Sequence, residues 1–297
     1  MRRRVLALGP LMSLWALSWV SSCGTGDSVV VGSKNFTESI LLGELVAQKL
    51  EEHNIAVDRR FNLGGSFICH NAQVNGQLDI YVEYTGTAYT AILEMSDERH
   101  PERVRAIVDS VYAERWNLIW AEPLGFDNTF AMLVRGEDAR RLNVHSISEA
   151  IPHIPDWRLG AGYEFIERAD GLRGLQTHYG VVFSEAPTEL DLGLTYRALA
   201  EGRVDIIAGN STDGQIDALD LYHLSDDRGY FPPYEAVPIV RAATLERFPQ
   251  MMEALLELAG AMSEAEMRRL NMLVDVERMD VREVAADFLR SLPEINN

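Results

Sequence analysis

Gly32-Ser33-Lys34-Asn35-Phe36-Thr37-Glu38-Ser39, read beside Tyr81-Val82-Glu83-Tyr84-Thr85-Gly86-Thr87, decides how this chain folds, because each stretch sets polar side chains at a strand-to-helix junction. Junctions of that kind hold small charged ligands. Val29-Val30-Val31 is an apolar run of buried-strand length, and Asn35 followed three residues later by Glu38 reads as a capping box that opens the next helix. The end of that helix then turns unpaired N–H groups toward an anion. Lys34 stands just ahead of it. The 27 basic residues include only two lysines, Lys34 and Lys49, so the position selects a compact ammonium over the arginine used nearly everywhere else; the competing reading is a stray surface lysine.

An internal echo extends the pattern. Gly76-Gln77-Leu78-Asp79-Ile80 recurs 126 residues later as Gly202-Arg203-Val204-Asp205-Ile206, and each copy runs on into a polar turn, Tyr84-Thr85-Gly86-Thr87 or Asn210-Ser211-Thr212-Asp213-Gly214. A weaker echo pairs Val31-Gly32-Ser33-Lys34 with Leu159-Gly160-Ala161-Gly162 at an offset of 128. Two echoes at nearly one offset predict two similar α/β lobes in tandem. Each reads as strand, helix, short strand, polar turn, helix, with Leu41, Leu42, Leu45, Val46 and Leu50 marking the first helix and residues 204–208 a short strand. The alternation predicts parallel or mixed sheets covered by helices on both faces, with ligands at the carboxyl ends of the strands. Residues 248–289 predict C-terminal helices that pack back onto the first lobe. The turn-rich stretches Gly125-Phe126-Asp127-Asn128-Thr129-Phe130 and Tyr230-Phe231-Pro232-Pro233-Tyr234 are the candidate crossovers, which makes the first lobe discontinuous.

Arg2-Arg3-Arg4, an apolar stretch over residues 5–20 and Val20-Ser21-Ser22-Cys23 have the layout of a secretory leader. The stretch is short for a membrane span, and Gly9-Pro10 interrupts it. The order Val-Ser-Ser-Cys resembles the lipobox of bacterial lipoproteins, which implies cleavage before Cys23 and a diacylglycerol thioether on it. Cys69 is then alone and no internal disulfide is available, so stability must come from the core; Cys69-His70 reads as a buried thiol beside a histidine rather than a metal or redox pair. The formal net charge of −18 becomes −21 once the three leader arginines are removed, which excludes nucleic acid as a partner and suits either solubility or the steering of a cation.

Residues 29–93, together with Gly125-Phe126, residues 164–171, Ser211-Thr212-Asp213-Gly214 and Phe231-Pro232-Pro233-Tyr234, resemble the substrate-binding proteins of ABC importers for glycine betaine, choline and related osmoprotectants. The resemblance covers nearly all of the mature chain. It implies an α/β, two-lobed periplasmic-binding-protein fold of type II with the ligand cleft between the lobes: a leader at 1–22, a tether at 23–28, lobe I at 29–126 and 232–297, and lobe II at 127–231. By position, Lys34, Thr87 and Arg168 match the carboxylate-binding residues of the family. Tyr84, Phe130 and Tyr234 match three positions of its aromatic cage, and the backbone near Asn128 faces the methyl groups; Asn35 is grouped with these residues. A betaine needs this division, since charge-assisted donors hold its carboxylate while ring faces hold a cation that has no N–H to donate. The fourth cage position departs from the pattern: Asn210 stands where relatives with a complete cage carry a ring. One lost ring weakens the cation–π attraction by ~0.5–2 kcal/mol in a dry site. That leaves carnitine, choline, ergothioneine or an amino acid as alternative ligands.

Structural readings compete at each position. Tyr84 and Tyr234 also read as packed rings, Phe130 as core, Thr85 and Thr87 as turn residues, and Arg168 as the partner of Glu164 or Asp170. No nucleophile with a base, metal-ligand rhythm, Gly-x-Ser-x-Gly elbow or phosphate loop is found, so the chain reads as a binding protein without cofactor or metal, not as an enzyme. The expected partners are a small zwitterionic or cationic ligand, an ABC permease with its ATPase, and the membrane through the lipid on Cys23. The expected state is a lipid-anchored, extracytoplasmic monomer, with a sensory binding module as the alternative role.

Overall fold

The computed structural model describes residues 28–293, so the expected leader and Cys23 lie outside it. The first sheet has the order β2-β1-β3-β10-β4, built from β1 (Val29–Gly32), β2 (Val57–Arg60), β3 (Ile80–Tyr84), β4 (Leu118–Trp120) and β10 (Ala236–Arg241). The second has the order β7-β6-β8-β5-β9, built from β5 (Phe130–Arg135), β6 (Leu159–Ala161), β7 (Thr188–Glu189), β8 (Ile206–Asn210) and β9 (Leu221–Leu224). In both, the first three strands of the order are parallel and the last two are joined antiparallel.

The sequence echoes mark equivalent places in these sheets. Val31 pairs with Ile80 in one and Leu159 with Ile206 in the other. Gly76 and Gly202 both take a left-handed conformation, at φ +75 and +70, just after a helix. Asp79 and Asp205 then accept the backbone N–H of the neighbouring strand, from Val30 at 2.8 Å and from Arg158 at 3.0 Å. The second short strand begins two residues later than the apolar run suggested, at Ile206 rather than 204, because Val204 and Asp205 belong to the turn that this Asp closes.

All five residues of β3 are buried, with Ile80, Val82 and Tyr84 packed to one face and Tyr81 to the other, as a strand covered on both sides requires. The helix Thr37–Glu52 inserts Leu41, Leu42, Leu45, Val46 and Leu50 into the same cluster as β1, where each leucine removed from water contributes ~1.5–3 kcal/mol. The C-terminal helices Met251–Leu256, Glu264–Asp275 and Val281–Ser291 complete that cluster through Met251, Leu255, Met267, Leu270, Val284 and Phe288. Cys69 is fully buried, and burial pushes its thiol up to about 12 and the neighbouring His70 down to about 4. His70 packs edge-on against Trp116 and Tyr112, which makes the pair part of the first lobe's core. No helix among the described residues is long and apolar enough to cross a membrane.

The two crossovers run side by side: Asn128 N–H donates to the Tyr234 carbonyl at 3.0 Å, Tyr234 N–H to Asp127 Oδ1 at 2.9 Å, and Ala236 N–H to the Phe126 carbonyl at 3.2 Å. A paired hinge of two segments can bend between the sheets but resists twisting.

The left-handed glycines provide a direct check on the repeat. Replacing Gly202 with Ala should cost ~1–2 kcal/mol in chemical denaturation, since the new Cβ meets only the Arg135 guanidinium at 4.0 Å, an ordinary contact, and only the backbone is strained. Gly76→Ala should cost at least as much, because its Cβ also presses on the Arg241 guanidinium at 3.2 Å. Asn at position 202 should recover most of the loss; equal stability of Gly, Ala and Asn there would contradict the assignment.

Candidate functional site

Lys34, Asn35, Tyr84, Thr87, Asn128, Phe130, Arg168, Asn210 and Tyr234 all line one cleft of about 680 Å³ between the lobes. The residues come from separate elements: the β1-to-helix junction, the end of β3, the helical turn Thr85–Thr87 that follows it, the hinge, the start of β5, the segment after the helix Tyr163–Glu167, and the end of β8. Strand ends deliver most of them, as expected where open sheets point their carboxyl ends at a crevice. The repeat gives Tyr84 and Asn210 matching places, each the last residue of its strand.

The junction that opens the chain is built differently from the expected capping box. The helix begins at Thr37 after Phe36, with no side-chain cap. Asn35 is exposed, with its N–H on the Gly64 carbonyl at 3.1 Å, and the turn is closed by Lys34 N–H donating to Ser39 Oγ at 2.8 Å. Glu38 cannot reach back to a cap because its side chain runs inward. Its carboxylate accepts from Tyr84 Oη at 2.6 Å, Asn128 Nδ2 at 2.8 Å, Asn271 Nδ2 at 2.9 Å and the Thr212 hydroxyl. The helix end that does meet an anion is the next one. At the start of Ser66–Val74, Ser66 N–H donates to Glu164 Oε1 across the cleft at 2.6 Å.

Both cations expected to be free for a ligand already have carboxylate partners. Lys34 Nζ pairs with Glu83 Oε1 at 2.5 Å in a fully buried ion pair, and Glu83 also accepts the Tyr84 N–H at 2.8 Å. Arg168 grips Asp170 with two bonds, at 2.9 and 2.6 Å, and reaches Glu164 Oε2 at 3.4 Å, so the competing local ion pair is present. Asp170 also accepts the Thr90 hydroxyl at 2.6 Å and the Tyr234 hydroxyl, which joins the two lobes. Burial opposes ionisation of both carboxyls, but Lys34 and Arg168 outweigh it at Glu164, and Arg168 with the Thr90 and Tyr234 hydroxyls outweighs it at Asp170, so both stay below their ordinary range. Two cations are set among three carboxylates, and Glu189 and Asp191 also line the cleft, so it carries an excess of negative charge that favours a cationic guest.

The rings have cations over them already. Lys34 Nζ lies 4.4 Å from the Tyr84 centroid and the Arg168 guanidinium 5.0 Å from that of Phe130. Phe130 meets Tyr234 edge-on at 6.0 Å and Phe165 at 5.1 Å. Phe36, within the quoted motif but not singled out, stacks on Tyr84 at 6.4 Å and lines the same cleft. Asn128 spends its amide N–H on Glu38 and keeps a buried Oδ1 without a partner at the cleft wall. Asn210 turns its amide toward Asp213 at 3.4 Å, and Tyr196 donates its hydroxyl to the same carboxylate while accepting the Asn210 N–H at 2.9 Å. Ser66, Glu83 and Asp213 were also missed by the sequence reading. Glu83 and Asp213 had a signal as polar residues of an apolar strand and of the second turn, whereas Ser66 at a helix start had none, and the partners of Ser66 and Glu83 lie 98 and 49 residues away along the chain.

The family model for the substrate-binding domain of ABC-type glycine betaine transport systems matches residues 27–291. The chain is 32% identical over 300 residues to the glycine betaine-binding protein YehZ of Escherichia coli, covering 95% of this chain and 98% of that protein. It is also 32% identical over 268 residues to the ergothioneine transport permease/ergothioneine binding protein EgtU of Helicobacter pylori; that match covers 89% of the chain and 47% of the longer relative. The crystal structure of a glycine betaine/carnitine/choline ABC transporter protein superposes with a TM-score of 0.74 at 31% identity, covering 89% of this chain and 98% of that one.

Asp213 gives the site a pH dependence of known sign. Burial, reinforced by Glu38 and Asp275, pushes its carboxyl up to about 7. The folded protein therefore binds a proton that the unfolded chain releases near its ordinary value, so the stability linked to Asp213 is fully present below that value and is lost as the pH rises through about 7. Thermal melts should show this loss between acid and neutral pH, and Asp213→Asn should flatten it. An unchanged pH profile in the variant would contradict the assignment.

Proposed function

The chain belongs to the family of substrate-binding domains of ABC-type glycine betaine transport systems, and from that premise we propose that its cleft captures a small zwitterionic quaternary amine, with glycine betaine as the reference ligand. The family's role is solute binding rather than catalysis. The observation that carries the reading is convergence, since nine residues spread over 200 positions line one cleft in which cations, carboxylates and rings alternate. Lys34, Thr87 and Arg168 bind the ligand's carboxylate. Tyr84, Phe130 and Tyr234 face its methylated cation, with the oxygens of Asn128 beside them, and Asn210 leaves one side of the cage polar. Arg168 and Lys34 belong to opposite lobes, so one bound carboxylate biases the open–closed equilibrium toward the closed form that a permease recognises.

Lobe I is residues 29–126 and 232–297, and lobe II is residues 127–231. The strand content of the two sheets supports this division. The receptor works as a monomer on the extracytoplasmic face, held by a lipid on Cys23, and passes its ligand to a permease and ATPase. A larger betaine is the second reading. It is favoured by a volume well beyond that of glycine betaine and by the polar Asn210, and carnitine and ergothioneine represent it.

Calorimetry with glycine betaine, choline, carnitine, proline betaine and ergothioneine separates these readings. Arg168→Ala should cost ~2–5 kcal/mol for ligands with a carboxylate, and choline should bind weakly. Asn210→Tyr should strengthen glycine betaine by up to ~1–2 kcal/mol. Tight choline binding that survives Arg168→Ala would sink the clamp, and Tyr84→Leu without effect on any ligand would sink the cage.

The anchor is tested separately. Cys23→Ser should release the protein from membranes or leave it unprocessed. Mass spectrometry that finds a mature N-terminus elsewhere and no lipid on Cys23 would contradict it.

A further inference from the structure

The carboxylate of Glu164 sits among the groups that the proposed clamp would offer to a ligand. It comes from the second lobe and accepts the backbone N–H of Ser66 in the first at 2.6 Å and the Ser66 hydroxyl at 3.3 Å. Lys34 Nζ reaches that same hydroxyl at 3.4 Å, and Arg168 reaches Glu164 from its own lobe at 3.4 Å. Gly65 is shaped to this approach: a Cβ there would lie 2.2 Å from Glu164 Oε1 and 3.1 Å from its Cδ. Its backbone is extended, with φ −77, so the glycine is explained by the close contact and not by strain.

We propose that Glu164 is an internal competitor for the ligand's carboxylate, one that latches the unliganded lobes together through Ser66 and gives up its place when an outside carboxylate enters. The inference rests on the carboxylate clamp proposed above. The charge balance says which group must leave. A bound ligand carboxylate would be the fourth around Lys34 and Arg168, an expensive crowding where water is largely excluded. Glu83 and Asp170 are fixed, with side chains 0% and 4% exposed and several donors each, whereas Glu164 is 30% exposed at the cleft and can swing outward without losing its hydration. It is also the carboxylate whose hydrogen bonds bridge the lobes at Ser66, so its departure frees that contact for remaking around the ligand. Glu164 thereby sets how much of the unliganded protein is already shut, and the apparent affinity falls by the fraction that is not competent to accept ligand.

The test uses the detergent-solubilised full chain carrying Cys23→Ser, with spin labels on cysteines introduced at exposed Glu114 and Arg173; native Cys69 is buried and stays unlabelled. Pulsed-EPR distances without ligand should show a mainly short population in the parent. Glu164→Gln should shift it to longer distances, and so should Gly65→Ala, which displaces the carboxylate without altering charge. Calorimetry should then show Glu164→Gln binding glycine betaine about tenfold more tightly, while choline gains less. Ligand-free distances unchanged in both variants, or betaine bound more weakly by Glu164→Gln, would overturn the proposal. If no member of the panel binds even the parent, the functional reading fails by itself, and the ligand-free distances still decide whether Glu164 is a latch.

Discussion

A carboxylate exposed to only 2% must find donors for both oxygens, and Glu38 finds four on four different parts of the chain. Tyr84 ends the third strand, Asn128 lies in the hinge, Thr212 follows the last cleft strand of the second lobe, and Asn271 belongs to a C-terminal helix. Burial raises the Glu38 carboxyl above its ordinary range, and the four hydrogen bonds pull in the other direction. Such a network is costly if any one member fails and rigid if all are met. Tyr84 and Asn128, two of the cleft's own side chains, are aimed by it. The cleft's geometry is thus set from behind, by a residue that does not line it.

The fold was legible because its signals are local. Two offsets of 126 and 128 residues located equivalent strand pairs, and the i,i+4 leucines of the first helix located its buried face. The repeated Gly-x-x-Asp-Ile has a physical basis: a left-handed residue ends the helix, and an Asp one turn later ties the next strand to its parallel neighbour. Equivalent chemistry at equivalent places also explains why Asn210 faces the cleft where Tyr84 does.

The site was legible in its positions and less so in its pairings. All nine side chains named from the sequence line the cleft, since the resemblance fixes where each falls on its element. What each one touches depends on residues far away in sequence. Glu38 read as a cap because its neighbour Asn35 is a good capping residue, yet donors 46 to 233 positions away drew it inward. Lys34 read as an ammonium facing an anion or as a stray surface lysine, and Glu83 stood in the other quoted junction, but nothing local joined two residues 49 positions apart into one ion pair. Glu164 read as a rival partner for Arg168, and nothing in the local pattern placed it against Ser66, 98 residues earlier.

The most direct test of this account is the affinity of Glu38→Ala for the ligand that binds the parent best. Removing the carboxylate orphans buried donors, each at a cost of ~1–3 kcal/mol, and releases Tyr84 and Asn128 from their positions. The account predicts a chain that still folds by circular dichroism but binds at least about tenfold more weakly, although no atom lining the cleft has been changed. Unaltered affinity in a folded Glu38→Ala protein would show that the cleft keeps its shape without the buried carboxylate and would contradict the account.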